Sequence, residues 1–278
     1  MENKSYVADG ARLSYVEAGS GVPVLFLHPT PLDHFYWLPL IQRLPKLRAI
    51  VLDLRAHGAS ELGAHLPLGG FPLVPDAPTL TMEQLATDTL VLLDQLDLSE
   101  AIFVGCSIGG YVMLELWRRT PQRMRGLAFI CSKPQPDAES NLMKRADTIA
   151  KARAGERDAL FDSMAQTSTS ATAKARHPAI VSEVRARMTL TAESIVAVQA
   201  GLAARPDSIP TVGTITAPIC AVAGGEDNAV SPAEMEVFRG APGGCDFHLL
   251  LDAGHFSAFE QPEMIAALLT PWLKQFGV

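Results

Sequence analysis

Ser107, Asp227 and His255 are residue types that together can supply a nucleophile, an orienting acid and a base. A serine hydroxyl attacks poorly at neutral pH. A histidine must take its proton, and an acid must hold that histidine in place. Ser107 lies in Gly105-Cys106-Ser107-Ile108-Gly109-Gly110. Before it runs the apolar, β-prone Ala101-Ile102-Phe103-Val104, which reads as a buried strand. After it, Tyr111 to Arg119 has apolar residues at helical spacing and a basic last turn. A serine held between strand and helix on so sharp a turn is a nucleophile elbow, and the turn requires small residues two positions to either side. Both are glycine here, Gly105 and Gly109. The bare pattern G-x-S-x-G is common; in this setting it is specific.

For an elbow serine the acid and then the histidine should follow in loops after later strands. Two loops qualify. Gly224 to Pro232 follows Ile219-Cys220-Ala221-Val222-Ala223 and holds Asp227, with Glu226 as its nearest rival. Asp252-Ala253-Gly254-His255-Phe256 follows the run 247–251. Asp227 is assigned as acid and His255 as base, while Asp252 reads as a turn cap. The loop Cys131-Ser132-Lys133-Pro134 contains no acid. An oxyanion hole should combine the amide of Ile108 with one from the loop after the first buried parallel strand, His28-Pro29-Thr30-Pro31. Proline has no N–H, so Thr30 is the only donor there before Leu32. Pro31 also restricts Thr30 to extended backbone angles.

The elements that must position these residues follow from patterning. A hairpin over Tyr6–Glu17 turns at Asp9-Gly10. Continuous apolar runs at 22–27, 49–54, 101–104, 126–131, 218–222 and 247–251 read as strands. Residues 61–79 read as an irregular surface excursion. Thr81 caps a helix to about Leu96, and a last amphipathic helix covers 262–276. Strands apolar throughout that alternate with helices indicate an α/β fold with a mostly parallel sheet covered on both faces. One stretch breaks this rhythm. Residues 134–215 show helical patterning and no convincing strand, and are expected to form an inserted helical cap between core segments 1–133 and 216–278. The cap holds ten Lys/Arg and nine Asp/Glu, about +1, and the remainder thirteen and twenty-one, about −8.

Composition narrows the partners. A net charge of −7 and no basic stripe argue against nucleic acid. No apolar run is long enough to span a bilayer, and the start lacks a signal-peptide pattern. Cysteines at 106, 131, 220 and 245 form no C-x-x-C, which suits a reducing cytoplasm. The seven histidines show no metal-ligand spacing, so no metal is expected. His28 and His57 read as loop residues, and Asp53 and Arg55 as a pair that holds its loop. Asp33, His34, Phe35, Tyr36 and Phe256 are candidate substrate contacts, with helix capping and aromatic packing an equal account of the first four.

These landmarks together resemble the α/β-hydrolase superfamily, nearest the small cofactor-free esterase and 3-oxoadipate enol-lactonase-like group. The resemblance is carried by His28 to Trp37, Asp53-Leu54-Arg55 through Ser60, the elbow at Ser107, Gly224 through Pro232, and Gly254-His255 with Glu260-Gln261-Pro262. It implies an α/β-hydrolase fold, a Ser107–His255–Asp227 triad and an oxyanion hole from Thr30 and Ile108. The chain departs from the family's usual His-Gly at His28-Pro29. Pro31, just after the oxyanion residue, resembles the cofactor-free haloperoxidase-like perhydrolases.

The expected activity is hydrolysis of a small carboxylic ester or lactone through an acyl-enzyme, without cofactor. The runner-up uses the same triad for perhydrolysis, carbon–carbon bond hydrolysis or cofactor-free oxygenation. A low-turnover ligand receptor of the same fold is the alternative outside enzymes. The expected partner is a small molecule, and a homodimer stays open.

Overall fold

Strands that are apolar along their whole length must be covered on both faces, and the computed structural model, which describes residues 2–278, arranges them so. Eight strands form one sheet: β1 (Glu2–Ala8), β2 (Ala11–Gly19), β3 (Pro23–Leu27), β4 (Arg48–Leu52), β5 (Ala101–Cys106), β6 (Met124–Ile130), β7 (Ile219–Gly224) and β8 (Cys245–Leu250). Their order is β1-β2-β4-β3-β5-β6-β7-β8. The hairpin β1–β2 pairs antiparallel, β2 joins β4 antiparallel, and every later pairing is parallel. β5 and β7 are buried at every residue, whereas edge strand β8 is buried only at Leu250.

Helix Met82–Gln95 begins on Thr81, whose hydroxyl accepts the Gln84 amide at 3.2 Å. Several expected boundaries move by one or more residues. The helix after the elbow starts at Ile108 rather than Tyr111, because the glycines of the turn already form its first turn. The last strand starts at Cys245 rather than 247.

Between β6 and β7 the chain forms six helices: Glu139–Arg153, Arg157–Ser168, Ala171–Arg176, Ile180–Arg185, Ala192–Ala203 and Ile209–Val212. The first packs against the fifth. The fifth also meets Leu80, just after the irregular 61–79 segment, whose amide donates to the Ala197 carbonyl at 3.0 Å. Phe71, Ala77 and Thr79 of that segment are buried, so part of the excursion is core rather than solvent-facing loop.

Candidate active site

β5 ends at Cys106 and the next helix starts at Ile108, which leaves Ser107 alone in the turn. Its φ of 52° and ψ of −118° lie where a non-glycine residue is strained, and only surrounding contacts keep it there. The Ser107 amide donates to the Ile130 carbonyl at 3.2 Å, and its own carbonyl accepts from Ser132 Oγ and the Gly110 amide, both at 2.9 Å. A Cβ on Gly105 would sit 2.7 Å from the Gly109 carbonyl carbon and 2.8 Å from the Gly110 nitrogen. One on Gly109 would land on the Leu27 carbonyl. The turn therefore closes only because neither residue has a side chain.

The ends of β7 and β8 carry the other two groups. His255 Nδ1 donates to Asp227 Oδ2 at 2.8 Å, which leaves Nε2 free to accept a proton. Asp227 Oδ1 is held by the amides of Ala229 (2.7 Å) and Val230 (3.0 Å). Burial pushes the Asp227 carboxyl up, but His255 and those amides outweigh it and hold it below its ordinary value. Burial pushes His255 down, but Asp227 and then Glu260 outweigh it and raise its pKa above the usual 6.5. The rival acid Glu226 faces elsewhere and accepts from the amide and hydroxyl of Thr172. Asp252 pairs with Arg176 at 2.7 Å and accepts from Gln261 Nε2 at 3.0 Å.

Three groups that the sequence reading left aside hold the histidine loop. Glu260, largely buried, accepts the Gly254 amide at 2.9 Å and faces the Ser170 amide at 3.4 Å. The thiols of Cys106 and Cys131 donate to the His255 and Gly254 carbonyls, each at 3.6 Å. Burial raises both thiol pKa values, so they stay protonated and able to donate. The Gly-His-(x)4-Glu spacing was visible in the sequence, but nothing there shows two strand-end thiols meeting this loop.

The oxyanion loop is tied by two neutral histidines. His28 donates from Nδ1 to the Pro29 carbonyl (3.1 Å) and accepts the Leu54 amide at Nε2 (2.9 Å). His57 donates from Nδ1 to the Arg55 carbonyl (2.9 Å), so its Nε2 accepts from Thr30 Oγ1 (2.9 Å). Burial lowers their pKa values to about 3 and about 4, respectively, which keeps both rings uncharged. His57 thus does more than shape its own turn, since it orients Thr30. The amides of Thr30 and Ile108 donate to no protein group among the described residues.

The expected pairing of Asp53 with Arg55 does not form. Asp53 instead accepts from the His34 amide and Nδ1, both at 2.8 Å, and Arg55 makes a buried two-point pair with Asp88 at 2.7 Å. The chain turns just after Asp53, and each of the two finds its partner on another element.

A cavity of about 300 Å³ opens over Ser107 and His255. Thr30 and Tyr111 line it from one side, and Asp137, Lys144, Arg145, Met164 and Gln199 from the segment between β6 and β7. None of the candidate contacts Asp33, His34, Phe35, Tyr36 and Phe256 lines it. Asp33 caps the turn that follows by accepting the Phe35 amide at 3.0 Å, and His34 is taken by Asp53. The Phe35 ring lies under the Arg187 guanidinium. Tyr36 is buried, with its hydroxyl donating to Cys106 Sγ and accepting from the Ala258 amide, both at 3.3 Å. Phe256 is also fully buried. Capping and packing account for these residues. Among the described residues no cluster of metal-ligating side chains occurs, and no helix is long and apolar enough to cross a membrane.

Known proteins resemble this chain in sequence and fold. A thermophilic esterase from Thermogutta terrifontis superposes over the whole of both chains with a TM-score of 0.88 at 26% identity. The 3-oxoadipate enol-lactonase 1 of Acinetobacter baylyi is 24% identical over 255 residues, which cover 90% of this chain and 88% of that protein. A candidate non-heme haloperoxidase of Mycobacterium phage D29 is 30% identical over 145 residues, 51% of this chain and 48% of that one. The match therefore spans about half the length of that curated relative. The model of the alpha/beta hydrolase family matches residues 24–268, most of the chain, and the protein belongs to that family.

Proposed function

We propose that the protein is a serine hydrolase that cleaves a small carboxylic ester or lactone. The observation that carries this reading is the meeting of Ser107, His255 and Thr30 on one cavity, with His255 held at 2.8 Å by Asp227. His255 Nε2 takes the proton of Ser107 Oγ as that oxygen attacks the substrate carbonyl. Asp227, kept ionised by His255 and by its amide donors, stabilises the imidazolium that forms. The amides of Thr30 and Ile108 face the developing oxyanion. The protonated histidine then passes its proton to the leaving alkoxide. Water attacks the acyl-enzyme by the same route and releases the acid. The likeness to an esterase and an enol-lactonase supports this substrate class.

Replacing Ser107 by Ala should lower kcat by a factor on the order of 10⁴–10⁶ while the thermal midpoint stays near that of the parent. Initial rates on p-nitrophenyl acetate, with a fluorophosphonate label to report the activated serine, test it. Ester turnover that survives in Ser107→Ala would sink the reading.

A second reading, perhydrolysis, is favoured by Pro31 and by the haloperoxidase-like relative. In it hydrogen peroxide replaces water at the acyl-enzyme. Peracid formation from acetate and hydrogen peroxide, absent in Ser107→Ala, separates the two.

A further inference from the structure

The chain that leaves helix Arg157–Ser168 and enters helix Ala171–Arg176 reads Thr167-Ser168-Thr169-Ser170-Ala171-Thr172, small residues throughout. Thr169 and Ser170 are buried, and Thr167 and Ser168 line the cavity over Ser107. This short segment touches both loops that carry the triad. On the acid side, Glu226 accepts the Thr172 amide at 3.1 Å and also the Thr172 hydroxyl. Asn228, on the other flank of Asp227, donates from Nδ2 to the Thr167 carbonyl at 3.1 Å. On the histidine side, the backbone amide of His255 itself donates to the Ser168 carbonyl at 3.0 Å. Glu260 faces the Ser170 amide at 3.4 Å. A Cβ on Gly254 would lie 2.6 Å from the Ser170 nitrogen and 2.9 Å from the Ser168 oxygen, so loop and segment meet backbone to backbone.

The two loops also bond each other directly, from the Gly225 amide to the Leu250 carbonyl at 2.8 Å and from the Glu226 amide to the Ala253 carbonyl at 2.9 Å. Both of those bonds lie on the strand side of Asp227. The 2.8 Å contact of Asp227 with His255 lies beyond them, where the loops need support from elsewhere. Residues 167–172 supply it on both flanks of the acid and at the backbone of the base. Transition-state stabilisation depends on holding such groups to a fraction of an ångström. We infer that residues 167–172 are a positioning strap for the triad, and that Glu226, by gripping Thr172, is the positioning residue that aligns the Asp227 loop with His255. The inference rests on the triad reading and adds to it a role for the inserted helices in the rate as well as in the shape of the cavity.

Glu226→Ala should lower kcat on p-nitrophenyl acetate about ten- to hundredfold, the cost of a displacement on the order of 1 Å, while KM and the thermal midpoint stay near the parent's. Glu226→Gln keeps an oxygen for the Thr172 amide and can donate to the Thr172 hydroxyl, so it should restore most of the rate. Thr172→Val should slow the enzyme in the same direction, and joining it to Glu226→Ala should cost nothing further. It reaches the same contact from the other side, so a folding failure of one variant leaves the other readable. A Gln variant as slow as the Ala variant would trace the effect to charge. Parent-like kcat in Glu226→Ala, or a loss that only follows the thermal midpoint, would reduce the strap to a fastening. Each of these results overturns the inference while hydrolysis by Ser107 stands. Proton NMR gives a readout that needs no turnover. The His255 Nδ1 proton, identified by its loss in His255→Gln, should resonate far downfield in the parent, broaden or move upfield in Glu226→Ala, and return in Glu226→Gln. If the parent cleaves no ester, the hydrolase reading fails and this resonance decides alone: an unmoved signal in Glu226→Ala overturns the inference.

Discussion

His255 sits between two carboxylates of different function. Asp227 bonds its ring directly, and Glu260 reaches it only through the Gly254 amide and through charge. Both favour the cationic ring, and the catalytic base must be neutral. Activity should therefore fall as pH drops through a midpoint above the ordinary 6.5 of histidine. Glu260→Gln keeps an acceptor for Gly254 but removes a negative charge, so the acid limb of kcat/KM should move to lower pH. A pH–rate profile reads this directly, and an unmoved limb would reduce Glu260 to a tether. At this scale the triad candidates were legible, because an elbow serine predicts the order of its partners along the chain. The thiol donors Cys106 and Cys131 were not, since each is remote in sequence from the carbonyl it meets.

Among elements, one tight constraint is the approach of helix Ile108–Arg119 to β3. Gly109 lies so close to the Leu27 carbonyl that a methyl group has no room, and the obstacle is backbone that cannot rotate away. Gly109→Ala should destabilise the fold by about 1–3 kcal/mol and displace the elbow, so that activity and stability fall together. A urea midpoint beside kcat would show this, and a stable, fully active variant would refute the packing argument. The oxyanion loop is an element of the same kind. Its conformation depends on His28 and His57 bonding across to Leu54, Arg55 and Thr30. Those bonds were invisible in the sequence, where both histidines look like ordinary turn residues.

For the whole molecule, two buried neutral histidines set its tolerance of acid. Their folded pKa values, about 3 for His28 and about 4 for His57, lie below the unfolded value of 6.5. Below that unfolded value the denatured chain takes up protons that the native state refuses. Stability should thus fall as pH drops from 6.5 toward 4, by about 1.4 kcal/mol per pH unit for each histidine in that window. Thermal midpoints across that window, with His57→Asn as comparison, measure it. A parent no more acid-sensitive than the variant would show that the His57 contribution is absent.

The order of strands and helices, the elbow and the three triad candidates were written in the sequence itself. Each depends on local pattern: apolar runs too long to face water, glycines flanking a serine, and acid and histidine in loops after later strands. Tertiary structure alone decided which cations face the cavity, that Asp53 takes His34 instead of Arg55, and that Asp33 to Tyr36 turn away from Ser107. The reason is physical. A side chain's partner is chosen by which distant backbone lies beside it, and residues 134–215 reach the Ser107 cavity only through the pairing of β6 with β7 on either side of them.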